Sequence, residues 1–204
     1  MSSSPETGRA RIPKRARGKE RVARLLQAAT AVFAEKGYEA ATMTEIAARA
    51  GAPIGSLYQF FPLKAALADT LVQDYAALLA ADLQALEARA HRIDTEALVE
   101  GLFGLLRAHP RERAAAQPLA EVRMTEQARR ATFRQMLRRR LAAILRVRAP
   151  TLSAAKARDI AIVMLQLMKA GNMLCDEAGL SGRGAALREL QALAVRYLEQ
   201  RLSK

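Results

Sequence analysis

The chain has 204 residues, 51% of them hydrophobic, with one Cys, no Trp, and 33 Lys plus Arg against 20 Asp plus Glu for a net charge of +13. That balance points to polyanions as partners, nucleic acid or anionic lipid, and says nothing about fold. The length allows one large domain, or a small and a medium one, each able to bury a core. Cys175 as the single cysteine excludes an internal disulfide framework, and with His91 and His109 as the only histidines it leaves no zinc ligand set. A reduced, cytosolic protein without metal or cofactor is expected. The greasiest stretch, 160–168, is nine residues long and contains Gln166, well short of the roughly 18 residues that suggest a membrane span. The basic N-terminus has no apolar run behind it, so it does not read as a secretory signal.

The charge is unevenly placed. Residues 1–24 hold eight basic side chains against Glu6 and Glu20, a net of +6, and 25–80 hold three basic against five acidic, a net of −2. The remaining +9 is concentrated between Arg123 and Arg148, where nine Arg face only Glu126. Residues 1–18 are rich in Ser, Pro, Gly and Arg without apolar periodicity, which predicts a disordered basic arm. Such an arm could be a solubilising tail, a phosphate tether, or a minor-groove contact.

Beyond the arm, apolar residues recur at spacings of three and four, which predicts helix almost throughout. The first helix covers about 19–36, with Val22, Leu25, Leu26, Ala29, Val32 and Phe33 on one face and Gly37 as its C-cap. Thr42 and Glu45 have the spacing of a capping box for a short second helix that Gly51 ends. Ala52-Pro53 restarts the chain into a third helix from Ile54 to about Phe60, and Pro62 starts a long fourth one reaching about Arg89. Asp94 caps a helix through about Ala108 that His109-Pro110 breaks, and a short helix over 111–116 is expected to stop before Pro118. Thr125 to about Arg148 reads as a helix with its Arg residues outward. Ser153 caps the next, to about Ala178, which is apolar nearly all round at its centre and so must face something beyond its own core. A last helix covers about 184–202. These final two helices predict a dimer, with Val163, Leu167, Leu190, Leu193 and Tyr197 at its interface.

The stretch from Thr42 to Phe61 is two short helices around a Gly51 turn, the geometry of a helix-turn-helix whose second helix enters the major groove of double-stranded DNA. Ile46, Ala47, Ala50, Leu57 and Phe61 can hold the pair together, with Ala47 and Gly51 small because the helices nearly touch. That leaves Pro53, Ile54, Gly55, Ser56, Tyr58, Gln59 and Phe60 as the start and outward face of the recognition helix. Gln59 can read adenine through two hydrogen bonds, Ile54 can meet a thymine methyl, and the Ser56 and Tyr58 hydroxyls suit phosphate or base contacts. Lys64 stands where backbone N–H groups at the start of the fourth helix also favour phosphate. Tyr58 and Phe60 could instead be core aromatics, and Thr42 a cap.

At these residues the chain resembles the TetR family of bacterial transcriptional regulators. The matching features are Phe33-Ala34-Glu35-Lys36-Gly37-Tyr38, Thr42 to Gly51, Gly55-Ser56-Leu57-Tyr58, Phe61 and Lys64-Ala65-Ala66-Leu67, covering roughly residues 20–70. Leu63, in place of a small polar residue, and Ala52-Pro53, in place of a Val-Ser type pair, depart from the pattern. The resemblance implies an all-α homodimer with an N-terminal three-helix DNA-binding domain followed by a helical effector and dimerisation domain paired through its last two helices. It implies that Thr42, Thr44, Ser56, Tyr58 and Lys64 touch the DNA backbone or base edges, and that Ile54, Gly55 and Gln59 face bases. The expected division is an arm over 1–18, a DNA-binding domain over 19–65, with the resemblance continuing to about 79, and the second domain over 66–204.

In the second domain Phe103, Phe133, Met136, Met164, Met168 and Asn172 have helical spacings that could line a cavity for a small effector, or could be ordinary core; His109 and Asn172 are its polar candidates. The Arg-rich helix could be a solvated face, a site for an anionic effector, or a secondary DNA contact. The expected function is a repressor released from a palindromic operator by its effector, the competing one a nonspecific architectural DNA binder. A membrane partner is not expected, because the Arg-rich helix needs its apolar stripe for the core. No Ser/His/Asp or Cys/His set, phosphate loop or carboxylate pair suggests an enzyme.

Overall fold

A computed structural model describes residues 10, 13, 15–122 and 127–202. Among the described residues the structure is all-α, with helices α1 (Ala16–Ala40), α2 (Met43–Arg49), α3 (Ile54–Phe60), α4 (Lys64–Arg89), α5 (Thr95–Ala108), α6 (Pro110–Val122), α7 (Gln127–Arg148), α8 (Ala154–Asp176) and α9 (Arg183–Leu202).

Local chemistry sets many of these boundaries. The Glu45 N–H donates to Thr42 Oγ1 at 3.2 Å, the Ala97 N–H to Asp94 Oδ1 at 2.7 Å and the Lys156 N–H to Ser153 Oγ at 3.2 Å, so each predicted N-cap satisfies a donor that its helix leaves unpaired. The Glu45 carboxylate does not complete a capping box; it pairs with Lys36 Nζ at 2.6 Å. Gly37, at φ 75° and ψ 175°, breaks the helical path where the C-cap was expected, and Tyr38 to Ala40 resume it.

The arm was expected to reach residue 18, but α1 begins at Ala16; Pro13 lies against Gly18, and Ala10 packs at the edge of the first core. The rest of 1–14 lies outside the described residues, as do Arg123, Thr125 and Glu126. The helix predicted over 111–116 runs from Pro110 to Val122 with Pro118 inside it. An internal proline costs about 3 kcal/mol. Against that cost, α6 buries Ala115, Ala116 and Leu119, with Ala115 and Leu119 in one core with α1. Finally, Gly51 is not small because helices touch: nothing lies within 4 Å of the Cβ position it lacks, and its φ of 60° is what requires glycine.

The helices form two compact units. One holds α1, α2, α3, the part of α4 up to Ala76, and α6. Its core is Leu25, Ala29, Val32 and Phe33 of α1 with Ile46, Ala47, Leu57, Phe61, Leu67, Leu71, Ala115 and Leu119. This unit extends along α4 to Ala76 and includes α6, whereas the expected DNA-binding domain is 19–65. The second unit holds α4 from Ala77, α5, α7 from Ala128, α8 and α9. Leu83, Leu86, Leu98, Leu102, Phe103, Leu141, Ile144, Leu145, Met164 and Leu198 form its core.

Candidate nucleic-acid interface

The α2–α3 pair is built from the inside. Ile46 and Leu57 are wholly buried and Ala47 nearly so, and the Ala52 N–H donates to the Ala47 carbonyl at 3.0 Å across the turn that Gly51 makes. With Leu57 fixed inward, the helical period turns the opposite positions of α3 outward. Pro53, Ile54, Gly55, Tyr58 and Gln59 are exposed, Ser56 and Phe60 half-buried, and Thr44 of α2 and its N-cap Thr42 exposed. Tyr58 is 49% exposed, which removes it from the core, whereas Phe60 packs partly against the core. This face carries no formal charge.

Charge flanks it. Arg17, Arg21 and Arg24 recur at spacings of four and three on α1 and are all exposed. Arg21 Nη1 lies 3.5 Å from Ser56 Oγ, so this basic row reaches the start of α3. The sequence expectation hid the row by dividing it, with Arg17 in the arm over 1–18 and Arg21 and Arg24 in the first helix; their helical spacing was the available signal.

Ion pairs join α1 to α2. Arg49 Nη1 donates to Glu35 Oε2 at 2.7 Å, and Lys36 reaches Glu45. The Arg49 hydrogen bond, with the nearby charges of Arg49 and Lys36, holds the Glu35 carboxyl below its usual range against a smaller desolvation effect, and the same contact raises Arg49. Lys64, expected to be available to phosphate, is turned inward: its Nζ donates to the carbonyls of Tyr38 at 2.7 Å, Ala41 at 3.0 Å and Glu39 at 3.2 Å.

In the second unit the expected effector residues separate. Phe103, Met164 and Met168 are buried in the core, with Phe103 Cε1 only 2.9 Å from where a Cβ on Gly171 would stand. Phe133, Met136 and Asn172 are half-buried. His109 Nε2 lies 2.6 Å from Asp82 Oδ2, a pairing that sequence distance concealed. An open groove of about 630 Å³ runs between α5 and α9, lined by residues that include Glu96, Glu100, Arg107 and Arg196 and by none of the expected effector residues. Of the expected interface residues, Val163 and Leu193 are 39% and 54% exposed, while Leu167, Leu190 and Tyr197 are half-buried. Among the described residues no helix is long and apolar enough to cross a membrane.

No curated protein matches the chain. Solved structures do. A TetR-family regulator from Mesorhizobium loti shares the fold at a TM-score of 0.69 and 20% identity, covering 93% of this chain and 98% of its own. A TetR-like transcriptional regulator from Rhodococcus superposes at 0.63 with 24% identity, covering 92% and 98%. The multidrug binding protein EbrR, solved with imidazole, gives 0.63 and 19%, covering 89% and 94%. The family model for bacterial regulatory proteins of the tetR family matches residues 25–71, and that for the tetracyclin repressor-like C-terminal domain matches residues 92–198. With both halves matched, and the second match alone spanning more than half of its length, the chain belongs to the TetR family of DNA-binding transcriptional regulators.

Proposed function

We propose that this regulator is a homodimeric repressor that reads a palindromic operator with α3 and leaves it when a small molecule binds the second unit. The observation that carries the reading is the exposed, uncharged face of Ile54, Gly55, Tyr58 and Gln59 beside the basic row of α1. Uncharged side chains with directional hydrogen bonds or methyl contacts discriminate base edges, while Arg side chains position a protein on phosphates without reading sequence. In this reading Gln59 and Ile54 contact bases, and Thr42, Thr44, Ser56 and Tyr58 contact the backbone or base edges. Pro53 and Phe60 shape the start and flank of the helix.

A second copy is proposed to pack on the apolar residues that α8 and α9 expose, Val163 and Leu193 with Leu167, Leu190 and Tyr197 around them. The effector is proposed to be apolar or anionic and to enter among Phe103, His109, Phe133, Met136, Met164, Met168 and Asn172. EbrR, which shares the fold, holds imidazole, and ligand response is carried to this chain as part of the proposal. Release follows if the effector prefers a dimer state whose recognition helices are wrongly spaced for successive major grooves, about 34–36 Å apart.

Selection of bound duplexes from a random pool tests the reading. A two-fold symmetric sequence with half-sites about one helical turn apart is expected, followed by its release in a metabolite screen. Enrichment of no sequence, with steep salt dependence and equal affinity for every duplex, would sink it in favour of a nonspecific architectural binder.

A further inference from the structure

Lys64 opens α4, and its ammonium has three N–H donors and no acceptor. Three backbone carbonyls take them: Tyr38, Ala41 and Glu39, at 2.7, 3.0 and 3.2 Å. The Tyr38 ring lies 4.4 Å from Nζ at its centroid and packs at 5.8 Å from the ring of buried Phe33. These carbonyls follow Gly37, where α1 loses its helical path, so they belong to a helix end whose acceptors need donors from elsewhere. A cation is favoured there by the helix dipole and again by the aromatic face. Ala41 immediately precedes Thr42, the N-cap of α2.

We propose that Lys64 is a positioning residue for DNA recognition, pinning the α1–α2 junction to the start of α4 and so fixing the orientation of α2 and α3, and that its ammonium makes no phosphate contact. This departs from the phosphate role that the family resemblance implies, and it rests on the sequence-specific reading proposed above. The donor count carries it, since all three N–H groups already have acceptors. A phosphate would have to break the cage that holds the exposed Thr42 and Thr44 in place.

The test uses the full chain with Lys64→Met and Lys64→Arg, a duplex selected from the random pool, a scrambled duplex, and anisotropy across a salt series. Both variants are expected to lose about tenfold or more in affinity for the selected duplex. Affinity for the scrambled one should stay within about twofold, with the salt slope unchanged. Arg keeps the charge, but its planar fork cannot aim at three converging carbonyls, so it should not rescue. A slope reduced by about 0.9, with Arg restoring binding, would make Lys64 a phosphate contact and overturn the proposal. Proportional weakening on both duplexes, tracking loss of folded protein by circular dichroism, would overturn it as well. Hydrogen exchange on the free protein keeps the test independent of any operator: amides over 42–47 should exchange faster in both variants while α5 and α8 hold, and unchanged protection refutes the cage. A wild-type chain that selects no sequence would defeat the proposed function, and the exchange result would still decide Lys64.

Discussion

Where α1 meets α2 and the start of α4, polar devices sit around a small core: the Arg49–Glu35 and Lys36–Glu45 pairs, the Thr42 cap, and Lys64 on three carbonyls. Where α5, α7, α8 and α9 meet, the contacts are almost wholly apolar, Phe103, Leu102, Leu145, Ile160 and Met164 among them, with polar pairs such as His109–Asp82 and Arg140–Glu87 at the edges. Directional groups define angles, as presenting a reading helix requires, whereas apolar packing fixes volume and can accommodate rearranged side chains. The comparison separates residues whose loss changes geometry from those whose loss changes stability.

The largest expected effect lies in the second unit. Phe103→Ala should cost about 3–5 kcal/mol in denaturant unfolding, because the ring fills space against Gly171. A loss under about 1 kcal/mol would mean that the ring does not fill its space and would contradict this packing. Next is the turn of the first unit. Gly51→Ala forces a side chain onto a φ of 60° and should cost about 1–2 kcal/mol. Gly55→Ala, in open space within α3, should be neutral or stabilising by up to about 1 kcal/mol. Equal effects at the two positions would remove the argument from backbone geometry. The smallest effect is electrostatic. Because Arg49 lowers Glu35, their attraction stabilises the fold above the ordinary carboxylate range and is lost as pH falls through the lowered value. Arg49→Met should therefore flatten the fall in stability on acidification, and an unchanged pH profile would show the exposed pair to be inert.

Much of the fold was legible because its signals are local. Thr42, Asp94 and Ser153 announce helix starts through side chains that reach a backbone N–H three residues on. The bounds of α3, Ile54–Phe60, follow from Pro53 and the apolar spacing around Leu57. What sequence concealed depends on tertiary contact. Pro118 reads as a stop until the burial of Leu119 is known, and Arg15 to Gly18 reads as tail until Pro13 is seen against Gly18. Lys64 illustrates the same limit at the candidate site: its position suggests a phosphate contact, and only the fold brings Tyr38, Glu39 and Ala41 to its ammonium. The exposed face of α3 was readable, since one buried position in a short helix orients the rest.

The proposed division of labour gives sequence reading to an uncharged surface and affinity to charge. Its most direct test is the binding of Gln59→Ala to the selected duplex and to every single-base variant of it, at two salt concentrations. Discrimination at one base pair per half-site is expected to fall by about 1–3 kcal/mol, with the other positions and the salt dependence unchanged. Uniform weakening at all positions, or an unaltered specificity profile, would contradict it.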